Sequence, residues 1–207
     1  MIIISHRGCW KKPDEKNTIQ AFINSVNLGF GCETDIRDHN SRLVVSHDVP
    51  HANSFEIDPM LELFENRDLL LAINIKADGL QELLQASLKR YHISKYFVFD
   101  MSVPETKKYI NLGFNVFGRQ SEYEPDIAFY DNLKGIWLDA FESVWYDVNL
   151  INRHLLNGKQ VCLVSSELHH RNYSDHWKFL KSSGIIKNDD LILCTDLPED
   201  ARIYFNT

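Results

Sequence analysis

The sequence predicts an α/β protein: a single (β/α)8 barrel, or TIM barrel, over residues 1–207, with a β-hairpin after the second strand and little or no inserted cap. Three observations predict it. About eight short β-branched or apolar runs alternate with segments of helical spacing, the order that builds a mostly parallel sheet. No linker, repeat or low-complexity stretch divides the 207 residues, a length that suits a compact barrel of about 200–250 residues. The first strand is not followed by a glycine-rich phosphate loop, which argues against an open dinucleotide-binding sheet.

Each element has its own signal. Residues 2–5 are a buried β-branched strand, and Asn17-Thr18 offers an N-cap to a helix that runs through Ala21, Phe22 and Val26 to a stop at Gly29. Residues 31–48 read as strand, tight turn, strand: GCETDIRD, HNSR, LVVSHD. A short helix near 59–65 leads to the third barrel strand at 69–75. Leu80, Leu83, Leu84 and Leu88 give 80–91 helical spacing. A strand at 96–99 precedes a helix over 104–112, with Pro104 in its first turn. The pattern continues with strand 115–118, a weak helix at 127–132, strand 135–138 and a helix over 148–156 that ends at Gly158. Strand 160–165, helix 174–182 ending at Gly184, strand 191–194 and a last helix over 198–204 complete it.

Composition narrows the function. Net charge is −7 with no Lys/Arg block, so a nucleic-acid partner is not expected. The longest apolar runs fall well short of the roughly 18 residues of a membrane span. The opening residues show no basic n-region or cleavage signature, which makes the cytoplasm the default location. Cys9, Cys32, Cys162 and Cys194 are scattered without C-x-x-C spacing, so neither a zinc site nor a disulfide framework is indicated.

The chemistry gathers around residues 31–48. Glu33 and Asp35 sit two apart on a strand and so leave the same face, while Cys32, Thr34 and Ile36 take the other. Two like charges facing a core are costly unless neutralised, and no adequate counter-charge lies in sequence reach; a divalent cation with oxygen ligands is the natural neutraliser. In a barrel of this class functional side chains collect at the C-terminal ends of strands. There the sequence places Ser5-His6-Arg7-Gly8, Glu33-Thr34-Asp35, His47-Asp48, Asn74-Ile75-Lys76, Asp139, Glu167 and Thr195-Asp196. Plainer readings compete. A lone histidine at a strand end is often a hydrogen-bonded core residue, and Glu33 and Asp35 have Arg7, Arg37 or Lys76 as candidate ion-pair partners. Lys76 alone would snorkel, and Asp139 and Glu167 read equally as solvated loop carboxylates. The remaining histidines (His39, His51, His92, His154, His169, His170, His176) read as surface residues, with His169-His170 able to reach the rim.

His6-Arg7-Gly8, Asn17-Thr18 with Ala21-Phe22, Glu33-x-Asp35 and His47-Asp48 together resemble the glycerophosphodiester phosphodiesterase family, and Cys194-Thr195-Asp196-Leu197-Pro198 resembles its last-strand signature. The resemblance implies a (β/α)8 barrel, a bound Ca²⁺ or Mg²⁺ and a small-molecule phosphodiester substrate. It assigns His6 and His47 as the acid–base pair, Arg7 and Lys76 as phosphate contacts, and Glu33 and Asp35 as metal ligands. Asn74 stands where the family has a third ligand glutamate. The family's Glu-Asn-Thr is interrupted as Glu15-Lys16-Asn17-Thr18, and only about twenty residues separate Asp48 from Leu69, too few for a separate lid. The residues suit that chemistry. A cation, a guanidinium and an ammonium stabilise charge that develops on phosphoryl oxygens, and histidines move protons near neutral pH. Two other classes compete: a phospho-ligand binding barrel without catalysis, and a glycoside hydrolase using paired carboxylates, which leaves His6-Arg7 without a role.

Overall fold

The structure is a computed structural model in which residues 1–206 are described. The chain forms two compact units, His6–Val116 and Met1–Ser5 with the chain from Phe117 onward.

In the first of these units the parallel strands β2 (Gly31–His39), β4 (Leu71–Ile75) and β5 (Tyr96–Phe99) are ordered β5-β4-β2. β3 (Arg42–Val45) runs antiparallel to β2. The hairpin turn needs two left-handed residues, supplied by Asn40 (φ 50°) and Ser41 (φ 61°), the pattern of a tight two-residue hairpin. The first six residues of β2 and all of β4 are buried, so these strands have cores on both faces, as parallel α/β strands do. Helix α1 (Ile19–Asn27) is capped by Thr18, whose Oγ1 accepts from the Ala21 N–H at 3.3 Å. α2 (Asp58–Phe64), α3 (Gln81–Arg90) and α4 (Val103–Asn111) follow β3, β4 and β5. The chain from β3 to α2 lies back along the hairpin, with Val45 N donating to Phe55 O at 3.0 Å, and holds no further element. The short connection is therefore not a cap.

The other unit holds β1 (Ile2–His6, through Ser5), β6 (Phe117–Gln120), β7 (Gly135–Leu138), β8 (Gln160–Val164) and β9 (Leu191–Thr195), all parallel in the order β1-β9-β8-β7-β6. Helices α5 (Val148–Leu156), α6 (Ser174–Ser182) and α7 (Pro198–Asn206) follow β7, β8 and β9. Among the described residues eight parallel strands, six of them leading into an α-helix, β2 into one by way of β3, and β6 into a single 3-10 turn, are those of the α/β (β/α)8 class the sequence predicts.

Two elements differ from the pattern reading. β6 occupies 117–120 rather than 115–118: apolarity fades at Arg119-Gln120, yet both take ladder positions opposite Trp137 and Leu138. Asn115 is used instead by β5, its carbonyl accepting from Val98 N at 2.8 Å. The helix expected at 127–132 is one 3-10 turn, Tyr130–Asn132, because Phe129 is left-handed (φ 59°) and cannot continue a right-handed helix. No helix among the described residues is long and apolar enough to cross a membrane, and the four cysteines are buried and form no disulfide among the described residues.

Candidate active site

The loop after β1 is shaped by one glycine. Gly8 has φ 89°, and a Cβ there would lie 2.5 Å from Ala21 Cβ and 2.7 Å from the Ala21 carbonyl carbon. Only glycine admits α1 this close. The close approach fixes Arg7, itself left-handed (φ 58°), whose N–H donates to Glu33 O at 2.9 Å. Arg7 O in turn accepts from Asn17 N at 2.9 Å, so His6, Arg7 and Asn17 are tied to the strand that carries the carboxylates.

On β2, Glu33 and Asp35 share a face as expected, and register sets Asp35 opposite Asn74 and Glu33 opposite Ala72 on β4. Asp35 is fully buried. Its Oδ2 lies 2.8 Å from Arg7 Nε and accepts from Asn17 Nδ2 at 2.9 Å; its Oδ1 lies 3.5 Å from Lys76 Nζ. The expectation that no protein counter-charge reaches this pair is therefore wrong for Asp35. Arg7 and Lys76 are 28 and 41 residues away in sequence; the Arg7 N–H on Glu33 O brings in the first and the pairing of β2 with β4 the second. Glu33 is different. It is 2% exposed, and its nearest partner is His6 Nε2 at 3.8 Å. Burial, reinforced by the Asp35 charge, holds its carboxyl well above the usual range, against the pull of Arg7 and Lys76.

Three buried acceptor oxygens here have no hydrogen-bond donor: Glu33 Oε2, Asp35 Oδ1 and Asn74 Oδ1. Buried acceptors are normally satisfied, so a trio of bare oxygens on adjacent positions of β2 and β4 calls for a partner. Hard divalent cations take carboxylate and amide oxygens, and the trio fits Ca²⁺ or Mg²⁺ in chemistry. Among the described residues no cluster of three His, Cys, Asp or Glu side chains forms a metal site, and Asn74 would add only an uncharged oxygen to the two carboxylates. Lys76 follows β4, with Nζ donating to Asp100 Oδ2 at 3.2 Å.

His47 lies just beyond β3. Ser46 N donates to Asp35 O at 3.1 Å, which brings the hairpin's end alongside the carboxylate strand. The His47 ring is half-exposed, its Nδ1 is 2.8 Å from Asp48 Oδ1, and its carbonyl accepts from Arg37 Nε at 3.1 Å. Asp48 thus engages the Nδ1 side of the ring. That hydrogen bond also lowers the Asp48 carboxyl below its ordinary pKa. Arg7, Asn17 and His47 line a cleft of about 810 Å³, whose walls include Ile19, Val45 and Phe55.

Other candidates resolve into structural parts. Glu15 accepts from Lys11 N (2.8 Å) and Lys12 N (3.3 Å) and so is spent on its own turn. Asp139 takes Ala140 N (2.8 Å), Trp137 Nε1 (3.3 Å) and His169 Nε2 (2.7 Å). Glu167 is held by the hydroxyls of Ser165 and Thr195 and by Asp196 N (3.2 Å), which ties β8 to β9. The reading of His154 and His176 as surface residues is corrected: they are 4% and 3% exposed. His154 bridges Tyr130 Oη and Gln120 Oε1, and His176 bridges Tyr146 Oη and Ser166 Oγ. Helical spacing had set both among polar neighbours, and only the tertiary structure supplies their partners. Two site residues were missed. Asn17 read as a capping signal and as part of the resemblance but was given no site role, and Asp100 was overlooked although it directly follows a strand, where the same filter looks.

No protein-family model matches the chain, and no curated protein matches it in sequence. Solved structures do match in shape. A phosphodiesterase from Oleispira antarctica, in complex with the product sn-glycerol-3-phosphate, aligns with a TM-score of 0.72 at 13% identity, covering 100% of this chain and 97% of that one. A glycerophosphodiester phosphodiesterase from Agrobacterium tumefaciens aligns with a TM-score of 0.67 at 15% identity, covering 98% and 99%. At such identities the likeness shows the fold, which this chain shares along its whole length.

Proposed function

We propose that this protein is a metal-dependent phosphodiester hydrolase that cleaves a glycerophosphodiester or a related diester to an alcohol and a phosphomonoester. The observation that carries the reading is the trio of bare oxygens on Glu33, Asp35 and Asn74, set beside two cations and a histidine. The fold shared with the phosphodiesterases from Oleispira antarctica and Agrobacterium tumefaciens supports it.

Glu33, Asp35 and Asn74 would hold Ca²⁺ or Mg²⁺. Once bound, the cation would offset charge on a phosphoryl oxygen and acidify a hydroxyl beside it. Arg7 and Lys76 supply the remaining positive charge: a diester is a monoanion whose transition state gathers charge on its oxygens, and fixed cations in a partly buried site stabilise that gain. His6 and His47 divide the proton work. One imidazole accepts the proton of the attacking hydroxyl or water, and the other protonates the departing alkoxide. Asp48 holds the His47 ring in orientation from its Nδ1 side. Without a cap, the 810 Å³ cleft is the surface that meets the alcohol, so selectivity among small head groups should be weak.

One observation favours a second reading. Arg7 and Lys76 already neutralise Asp35, which suits a barrel that binds a phospho-ligand without turnover. Hydrolysis of bis(p-nitrophenyl) phosphate and glycerophosphocholine, with and without EDTA, separates the two. Turnover lost on chelation supports the hydrolase. Binding of phosphomonoesters with no hydrolysis at any metal concentration supports the binding barrel.

A further inference from the structure

The two cations of the site are not held alike. Arg7 lies against Asp35 Oδ2, which also accepts from Asn17, so that oxygen is committed. Lys76 lies between two carboxylates and donates its hydrogen bond to Asp100 Oδ2 at 3.2 Å, while Asp35 Oδ1 stays 3.5 Å away with no hydrogen-bond donor. An ammonium sits in ionic contact with a fully buried carboxylate oxygen, yet its hydrogen bond goes elsewhere.

Asp100 reaches Lys76 from the end of the neighbouring strand. β5 ends at Phe99, which pairs with Asn74, and Asp100 follows with φ +73°. A left-handed non-glycine residue is uncommon, and such strain persists where the surroundings over-determine it, often at functional sites. This pair is largely buried, with Lys76 19% and Asp100 17% exposed.

We propose that Asp100 is a positioning residue: it holds the Lys76 ammonium off Asp35, keeping Asp35 Oδ1 open to the divalent cation and Lys76 available to a phosphate oxygen. The inference rests on the phosphodiesterase reading above. Without the Asp100 carboxylate, Asp35 Oδ1 is the acceptor within reach of the ammonium, and a movement of a few tenths of an ångström closes that hydrogen bond. A closed Lys76–Asp35 pair competes directly with a cation for Asp35's remaining oxygen.

The test is calorimetric titration of Ca²⁺ and Mg²⁺, with kcat and KM on bis(p-nitrophenyl) phosphate, for the wild type, Asp100→Asn, Lys76→Met and the double variant. Asparagine tolerates the left-handed backbone, and thermal melts check that each variant folds. Asp100→Asn should weaken cation binding about tenfold or more, the scale of removing a residue that orients a ligand, and should raise KM. In the Lys76→Met background the same substitution should leave cation affinity unchanged, because no ammonium remains to collapse onto Asp35. Equal weakening with and without Lys76 would show that Asp100 acts on the cation directly, and unchanged affinity in both would make it a structural ion pair; either overturns the inference. The controls keep the two claims apart. A wild type that neither binds cation nor turns over sinks the hydrolase reading and this inference together. A wild type that does both, with Asp100→Asn matching it, sinks the inference alone.

Discussion

His176 gives a prediction whose size can be worked from its surroundings. It lies on α6, almost fully buried, with Nε2 2.9 Å from Tyr146 Oη and Nδ1 3.3 Å from Ser166 Oγ. Both partners are hydroxyls, so a neutral imidazole satisfies the network and a charged one gains no anion. Burial, aided by the Arg171 charge, lowers its pKa from 6.5 to about 4. The sign follows. The native histidine stays neutral while the unfolded chain takes up a proton below 6.5. The contribution is therefore complete above pH 6.5 and is lost as pH falls towards 4. At about 1.4 kcal/mol per pH unit, that interval amounts to about 3 kcal/mol. The perturbation is His176→Gln, measured by urea denaturation from pH 7.5 to pH 4 beside the wild type. The variant should be less stable at neutral pH through lost hydrogen bonds, about 1 kcal/mol each, but should shed about 3 kcal/mol less on acidification. His154 and Glu33 are present in both proteins and cancel in the difference. Parallel stability curves would refute the reasoning, because they would mean that His176 titrates alike folded and unfolded.

His6→Ala and His47→Ala should each stay folded and lose roughly 10²–10⁴ in turnover, the range of general acid–base catalysis. The double variant should lose little more than the worse single one, because the two act as a unit; a single variant near wild-type turnover on a poor leaving group would remove that histidine from the pair. Asn74→Glu adds a charge opposite Asp35 and should tighten cation binding, on the order of tenfold, since affinity for hard cations follows ligand charge. Asp139→Ala is the control: cation affinity that falls with it, and not with Asn74→Ala, would make Asp139 the ligand instead. If Asn74→Glu and Asn74→Ala both leave calorimetric affinity unchanged, Asn74 is not a ligand.

Much of this was legible in the sequence because it is local. β-Branched runs, the cap at Thr18 and the period-2 placement of Glu33 and Asp35 are decided within a few residues, and the structure keeps them. The closeness of Gly8 to Ala21 packs the His6-Arg7-Gly8 turn onto the helix that carries Ala21-Phe22. What was not legible depends on register between distant strands. Lys76 reaches Asp35 only once β2 and β4 lie side by side, and Arg7 only once its N–H bonds Glu33 O. Asp100 enters through β5, one residue beyond the strand. Glu167 read as either a strand-end site residue or a loop acid, yet it ties two strand ends together, and two helical histidines found buried hydroxyl partners from other segments. Polar residues report their environment poorly in sequence, since the same side chain serves at a surface, in a buried network or at a reacting centre.

The most direct test of the cation site is calorimetric titration of Ca²⁺ and Mg²⁺ into the wild type and Glu33→Gln at pH 7. Glu33 is the buried carboxylate without a hydrogen-bond donor, and glutamine keeps its shape while removing its charge. The wild type should bind one cation per chain, and Glu33→Gln should bind at least about tenfold more weakly. No binding to the wild type, or equal binding to both, would contradict the assignment of Glu33, Asp35 and Asn74 as the cation's ligands.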